Sequence, residues 1–413
     1  MNWYWVLTYE VIYWVVAVCM IGVVLRRQFP PMTALAWLMV IFLHPFLGLV
    51  LYVLLGDNRL GKKRVTQHRE VIEAMHNQQL LAIQDNHAVD PQDHHQSRPV
   101  MLQAERIGGM PILDGNQVQL LPDNADFIVQ LIEDIDQAEH HVHMVYYIFE
   151  TDEAGEQVAD ALIRASQRGV KCRVMADDVG SRRLFRRQTL LRRMRDNDID
   201  VRPALAVSFL RRGLSRLDLR NHRKLTVIDG HIAYTGSTNI ASEGCGPKRP
   251  KTGAWVDLSA RFTGPLVAQL QIVFLEDWYF ETSQSLDDEH IHPTLESTGK
   301  IPVQAIPTGP SHESQAFPRI LLAAINHARH RVILTTPYFI PDEPMLWAFQ
   351  MAAERGVDVR IVIPQRSHHI LVDIAGHAYF QQMLDAGGRI FMYQPGVLLS
   401  KAMIVDDDFA LFG

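Results

Sequence analysis

The chain has 413 residues, enough for two or three domains with separate cores, and its 47% hydrophobic and 21% charged residues suit a folded protein with some membrane content. Forty basic residues against 46 acidic ones leave a net charge of −6, which argues against a nucleic-acid binder relying on bulk positive charge. Cys19, Cys172 and Cys245 are scattered, with no CxxC spacing, so neither a disulfide framework nor a zinc site is expected and a reducing compartment is favoured.

Residues 5–25 are apolar except for Glu10, and a second apolar run covers 33–55, interrupted by His44-Pro45 and Gly48. Each matches the roughly 20 residues that a helix needs to cross the hydrocarbon core. A signal peptide fits the first run poorly: no basic stretch precedes it, it is too long, and a second run follows at once. A buried core hairpin is the soluble alternative. Trp3, Tyr4, Trp5 and Tyr52 lie near the run ends, where aromatic rings favour the membrane interface. The expectation is a two-helix transmembrane hairpin over residues 1–64. Arg26 and Arg27 fall in its loop, and Arg59, Lys62, Lys63 and Arg64 follow it, which assigns the remainder of the chain to the cytoplasmic side. Residues 65–105 read as a helix to about 83 and then a polar linker containing Asp90-Pro91-Gln92-Asp93.

The rest of the chain repeats one pattern. Val118-Gln119-Leu120-Leu121-Pro122, a helix from about 125 to 138, the strand-like Met144-Val145-Tyr146-Tyr147-Ile148-Phe149, and a second helix lead to Arg168-Gly169-Val170. Val303-Gln304-Ala305-Ile306-Pro307, a helix, Leu334-Thr335-Thr336-Pro337-Tyr338-Phe339 and another helix lead to Arg355-Gly356-Val357. Alternating strands and helices predict an α/β fold of two facing halves, 106–290 and 291–413, with mixed sheets covered by helices and one site between them.

Near the end of the first copy stands Asn221-His222-Arg223-Lys224, a β-rich run, Asp229-Gly230, a second run, and Gly236-Ser237-Thr238-Asn239. Period-two geometry puts His222 and Lys224 on one face, with Arg223 pointing away. Asp229-Gly230 is a hairpin signal, which makes Asp229 a turn residue first and a proton carrier second. An imidazole can attack phosphorus, and an ammonium with Ser237 and Asn239 as hydrogen-bond donors can stabilise its equatorial oxygens. No metal or other cofactor is then expected.

On these residues the chain resembles the phospholipase D superfamily, whose signature H-x-K-x4-D, six residues and Gly, then Ser and Asn, is matched by His222, Lys224, Asp229, Gly236, Ser237 and Asn239. The second copy matches it at Lys401, Asp406 and Gly413, but Leu399 stands where the resemblance implies histidine, and the sequence ends before a second Ser and Asn. The resemblance implies that one histidine attacks phosphorus while the other protonates the departing alcohol and deprotonates the incoming one. An isobutyl group does neither, so impaired turnover and a C-terminally truncated second half are expected.

The motif does not choose among nucleases, phospholipases and lipid synthases; the N-terminal apolar runs point to a phospholipid. With Ala36-Trp37-Leu38, His44-Pro45-Phe46-Leu47-Gly48 and Trp255-Val256-Asp257-Leu258 before Gly264-Pro265, the chain is similar to the bacterial cardiolipin synthases. That resemblance implies transfer of a phosphatidyl group from one phosphatidylglycerol to another, giving cardiolipin and glycerol through a phosphatidyl-histidine. It makes His222 the nucleophile and Lys224, Lys401 and Asn239 the phosphate clamps. Asp257 is a candidate to orient an imidazole, with strand capping or pairing with Arg261 as alternatives. A membrane-tethered phospholipase D or other phosphodiesterase, and a non-catalytic lipid-binding relative, remain as rivals.

Arginines crowd residues 182–223, Arg211, Arg212 and Arg216 among them, interleaved with Phe185, Leu190, Leu191, Met194, Phe209, Leu210 and Leu214, which suggests a surface lying on an anionic membrane. His140, His141, His143 and the pair His368-His369 lack partners at ligand spacing and read as exposed or structural.

Overall fold

The computed structural model describes residues 3–27, 29, 31–56, 87–89, 97–206, 220–242, 255–286, 289–291, 293–309, 316–366, 370–394 and 396–413. The basic cluster from Arg59 to Arg64, the helix expected at 65–83, residues 90–93, Arg211, Arg212, Arg216, Phe209, Leu210, Leu214, Cys245 and His368-His369 lie outside them.

In the N-terminal unit the first apolar run is helix α1 (Trp3–Arg26). The second run is not the single span expected at 33–55: it forms α2 (Pro31–Leu43) and α3 (Pro45–Leu55), broken at His44, whose φ of −148° and ψ of 82° are not helical. Pro45 causes the break, because its ring disfavours helical backbone in the residue before it and it has no N–H to give to the preceding turn. At 13 and 11 residues the two helices are about 20 and 16 Å long, each short of the roughly 30 Å hydrocarbon core.

The larger unit opens within the expected linker, where α4 (Arg98–Gly108) buries Val100 and Ala104 and ends on Gly109 in the left-handed region. There follow β1 (Leu113–Leu121), α5 (Asn124–Gln137), β2 (His141–Tyr146), α6 (Glu153–Gln167), β3 (Lys171–Asp177), the short α7 (Arg182–Arg187) and α8 (Thr189–Arg195), and β4 (Asp200–Ala204). After these come β5 (Lys224–Ile228), β6 (Ile232–Gly236), β7 (Trp255–Val256), β8 (Ser259–Thr263), α9 (Leu266–Thr282) and β9 (Ile301–Val303). The second copy supplies α10 (Ala316–His327), β10 (Arg331–Thr335), α11 (Glu343–Glu354), β11 (Asp358–Pro364), α12 (Ile370–Asp385), β12 (Arg389–Tyr393), β13 (Val397–Leu398), β14 (Ala402–Val405) and β15 (Phe409–Phe412).

Two mixed sheets result. The larger has the order β4-β3-β2-β5-β6-β8-β1-β9 and the smaller β12-β11-β10-β14-β15. In each, the first three strands are parallel and the next two antiparallel, so the repeat read in the sequence is a repeat of sheet topology. Strand β9, expected in the second half, pairs with β1 at the edge of the larger sheet. Every residue of β2 is buried, as a central strand covered on both faces requires. One face packs under α5 and α6 through Phe127, Leu131, Val158 and Leu162; the other lies under α9 through Val267, Val273 and Phe274. Phe412 of β15 packs against this second core and stacks on Phe262, which ties the two sheets together.

The described first part of the arginine-rich segment, residues 182–195, differs from its reading as a membrane face. Leu190, Leu191 and Met194 are buried and Phe185 packs against the same core, so the described arginines form the solvated side of α7 and α8. Helical spacing turns the apolar residues inward. Between these helices lies a depression of about 580 Å³ lined by Arg186, Arg187, Arg192 and Arg193 with polar neighbours.

Candidate active site

His222 sits where the parallel strands β2 and β3 end and the antiparallel β5 begins. In mixed α/β sheets, ligands gather at the carboxyl ends of the parallel strands. The backbone is held here by Tyr147 N–H donating to Arg223 O at 3.0 Å, one step beyond the Tyr146–Lys224 pair. Two buried carboxylates clamp the flanks. Asp277, on α9, accepts from Asn221 Nδ2 at 2.9 Å and from the Arg223 guanidinium. Asp177, at the end of β3, accepts from the N–H groups of Val179 and Gly180 at 3.0 and 2.9 Å and lies 3.8 Å from Arg220. Burial raises the Asp177 pKa above the ordinary carboxylate value, opposed by those hydrogen bonds and by Arg220.

One face of the imidazole is open to solvent and the other rests on Tyr147. Desolvation by the surrounding protein, then the charges of Lys224, Lys401 and Arg220, push the His222 pKa down to about 4, which leaves a neutral ring at pH 7. Lys224 donates to His222 O at 2.8 Å, and burial with the nearby Lys401 charge pushes its own pKa down to about 7, against the pull of Asp257.

The second half reaches this place through a two-stranded parallel ribbon. Strand β13 pairs with β7, Val397 opposite Trp255 and Leu398 opposite Val256, and the N–H groups of Leu399 and Ser400 both donate to Val256 O, at 2.9 and 3.0 Å. This ribbon brings Lys401 into the electrostatic reach of His222, Lys224 and Asp257. Lys401 repeats the pose of Lys224, with Nζ 3.4 Å from Leu399 O, and burial lowers its pKa while Asp257 raises it. The half-buried isobutyl group of Leu399 occupies the position that matches His222.

The remaining expected residues divide between the site and the scaffold. Asp257 is buried and accepts from Ser237 Oγ at 2.7 Å, rather than from His222 or Arg261; Arg261 pairs instead with Asp134 at 2.6 Å. Burial raises the Asp257 pKa, while Ser237 and the two lysines lower it. Ser237 Oγ also accepts from Leu258 N–H at 2.9 Å and lies 3.3 Å from Leu258 O, so its hydrogen has two protein acceptors in this structure. Asn239 Oδ1 accepts from Ile148 N–H at 3.1 Å, which leaves Nδ2 as the end able to donate.

Asp229 and Asp406 stand at the far ends of β5 and β14, roughly 20 Å along the strand from His222 and from Leu399. Both occupy the left-handed region, with φ of 52° and 50°. Asp229 accepts from the N–H groups of Glu139, His140 and His141 at 2.7 to 2.8 Å, and Asp406 from those of Arg329, His330 and Arg331 at 2.8 to 3.0 Å. Burial raises the Asp406 pKa, but the three amides outweigh it and the net shift is downward.

His141 and His143 are buried against Gln271, with Arg173 Nη1 3.0 Å from His143 Nε2; desolvation, His141 and Arg173 lower the His143 pKa. Among the described residues no group of three His, Cys, Asp or Glu is placed to hold a metal ion. Sequence reasoning missed Tyr147, Asp177, Arg220 and Asp277. The available signal was weak: Tyr147 follows the strand-like Met144-Val145-Tyr146 of the repeated unit, the position where a parallel strand delivers residues to a site.

The family model described as cardiolipin synthase, PLD-like domain matches residues 131–278 and 321–413, and the phospholipase D-nuclease N-terminal model matches 12–56. Cardiolipin synthase A of Yersinia pseudotuberculosis serotype O:1b is 35% identical over 406 residues, covering 97% of this chain and 83% of that protein, and cardiolipin synthase A of Yersinia pestis matches to the same extent. Among solved structures, phosphatidylserine synthase of Haemophilus influenzae is similar at a TM-score of 0.47 and 15% identity, covering 75% of this chain and 80% of that one. Identity of this extent, with a family model matching more than half of the chain, places it in the cardiolipin synthase family of phospholipase D-type phosphatidyltransferases.

Proposed function

We propose that His222 takes a phosphatidyl group from one phosphatidylglycerol and passes it to a second, giving cardiolipin and glycerol. A ring nitrogen of His222 attacks phosphorus and the P–O bond to the departing glycerol breaks. The terminal hydroxyl of a second phosphatidylglycerol then attacks, the P–N bond breaks, and the proton of that hydroxyl replaces the one the first glycerol took. One diester is exchanged for another, so no nucleotide is consumed. Lys224, Lys401 and Asn239 Nδ2 hold the phosphate oxygens, while Asp229 and Asp406 brace the two strands.

The observation that carries this reading is the convergence of Lys224 and Lys401, one from each half, on a neutral His222. Both ammonium groups are held with lowered proton affinity until an anion arrives. A bound phosphodiester restores it, so charge stabilisation is ready where charge develops.

Leu399 sets the rate. Without an imidazole there, glycerol departs unprotonated and the incoming hydroxyl meets no base, so turnover is slow and the phosphatidyl-His222 intermediate lives long. Helix α1 anchors the chain in the bacterial inner membrane with the catalytic halves on the cytoplasmic side, where anionic phosphatidylglycerol is the partner and no nucleic acid is required.

The test is product analysis with the full chain in phosphatidylglycerol vesicles. Cardiolipin and glycerol are expected, lost in His222→Ala and increased by about 10²- to 10⁴-fold in Leu399→His, the usual range for restored general acid–base catalysis. Phosphatidic acid as the product would favour the hydrolase reading. Lipid binding with no product in either chain, which Leu399 makes a specific rival, would favour a lipid-binding relative.

A further inference from the structure

The N-terminal unit has one helix long enough to cross a bilayer and two that are not. Every residue of α1 from Trp3 to Ile12 is exposed, whereas Ala17, Met20 and Val24 are buried on one stripe, so α2 and α3 cover only its C-terminal half. The break between α2 and α3 lies beside the middle of α1. Tyr13 OH is 3.2 Å from both Phe42 O and Leu43 O, and Phe46 packs on Tyr9 and Tyr13 with ring centroids 5.8 and 6.3 Å away. Gly48 lets the two short helices close on each other there, since a Cβ at that position would sit 2.9 Å from Ile41 Cγ1 and 3.0 Å from Ile41 Cα. From the break, α3 runs back to the end of α1: Arg27 Nη1 is 3.4 Å from Gly56 O, and its guanidinium lies 5.7 Å from the Tyr52 ring centroid.

We infer that α1 alone crosses the bilayer and that α2 and α3 form a re-entrant hairpin, entering the membrane from the Arg27 side and leaving on that same side. The inference rests on the membrane anchorage proposed above. Three physical requirements support it. Fourteen residues from Tyr13 to Arg27 span about 21 Å, roughly two-thirds of the hydrocarbon core, so the break lies within the core and short of the opposite headgroups. A helix interrupted in hydrocarbon must have its freed carbonyls satisfied within the protein, and the Tyr13 hydroxyl offers its one hydrogen between the Phe42 and Leu43 carbonyls, 3.2 Å from each. The topology also places the basic residues Arg26, Arg27, Arg59, Lys62, Lys63 and Arg64 on one side of the membrane, whereas a two-span hairpin would split them between the two sides.

The N-terminus therefore lies on the opposite side of the membrane from everything after Gly56. The test uses the full chain with an N-terminal epitope tag and single cysteines, Met32→Cys or Glu296→Cys, with Cys19 and Cys245 replaced by serine and buried Cys172 retained. In spheroplasts, added protease should remove the tag, while both cysteines should react with a membrane-impermeant maleimide only after lysis. A protected tag with Met32→Cys labelled from outside would establish two crossings and overturn the inference while leaving the anchorage intact. All three probes on one side would overturn it as well. Release of the chain by alkaline carbonate would remove the anchorage and the inference together.

Discussion

The ring of Tyr147 lies against that of His222, with centroids 4.0 Å apart and planes inclined by 25°, and the Lys224 ammonium lies 5.6 Å from the same tyrosine ring. One aromatic ring thus lies against both the proposed nucleophile and a proposed phosphate clamp. Stacking fixes the imidazole plane, and an ammonium near a ring face gains about 0.5–1 kcal/mol. Tyr147→Ala should slow formation of phosphatidyl-His222 by about 10- to 100-fold, the scale of a misplaced reacting group. Tyr147→Phe keeps the platform and should stay within about twofold. Quenched mass spectrometry on phosphatidylglycerol vesicles reads both rates, and equal loss in the two variants would assign the effect to the hydroxyl instead.

Asp257 follows β7, whose Val256 carbonyl receives the Leu399 amide, and its carboxylate acts electrostatically on Lys401, two residues beyond Leu399. With Leu399 in place it serves Ser237 and steadies the two lysines. With histidine there it can accept the second ring N–H and hold the tautomer. In a Leu399→His background, Asp257→Asn should cost tenfold or more in cardiolipin formation, on the order expected when an orienting carboxylate is lost. The same change beside Leu399 should cost much less. A double-mutant cycle measures the difference, and additive effects would rule out coupling.

The pH dependence of the first chemical step follows from the two perturbed groups. The His222 pKa is depressed to about 4, so the nucleophile is neutral above that value and protonated below it. The Lys224 pKa is depressed to about 7, so the clamp loses its charge as pH rises through that value. The rate of phosphatidyl-His222 formation at low substrate should therefore climb through about pH 4, level off, and fall above about pH 7. Lys224→Arg, which does not deprotonate in this range, should be slower but lose the alkaline fall. An unchanged fall would assign it to another group such as Lys401. The stability linkage has the opposite sense. A lysine whose folded-state pKa lies below its unfolded value makes folding less favourable at neutral pH than in alkali, so Lys224 itself adds stability as pH rises above about 7.

Local signals were legible in the sequence. The turns at Gly169 and Gly356, with φ of 96° and 89°, sit at equivalent points of the two copies, and Asp229 with Gly230 adopts the positive φ values that an Asp-Gly hairpin turn needs. Long-range encounters were not. Tyr147 and His222 are 75 positions apart and meet only because β5 pairs with β2, and Asp277 reaches Asn221 only because α9 folds back over that sheet. Hydropathy marked the break at His44-Pro45 without showing whether the run crosses or turns back, because the deciding contact comes from the Tyr13 hydroxyl. Arginines interleaved with leucines resembled a membrane face until Leu190, Leu191 and Met194 were found in the core.

The matched pair Asp229 and Asp406 separates stability from chemistry. Each carboxylate gathers three consecutive backbone N–H groups at the start of a central parallel strand, so each closes the far end of its sheet and lies at the wrong end of the strand to move a proton. Removing an acceptor from partly buried amides costs about 1–3 kcal/mol. Asp229→Ala should lower the apparent melting temperature by several degrees, while the fraction that stays folded keeps its rate at His222 within about threefold. Asp406→Ala should do the same through the smaller sheet. Asp406 also carries a lowered pKa, so its contribution is present above the ordinary aspartate pKa and is lost as pH falls through the depressed value. The Asp406→Ala variant should therefore melt closer to the unmodified chain at strongly acid pH than at pH 7. A folded Asp229→Ala protein with its rate reduced a hundredfold would return that carboxylate to the catalytic machinery.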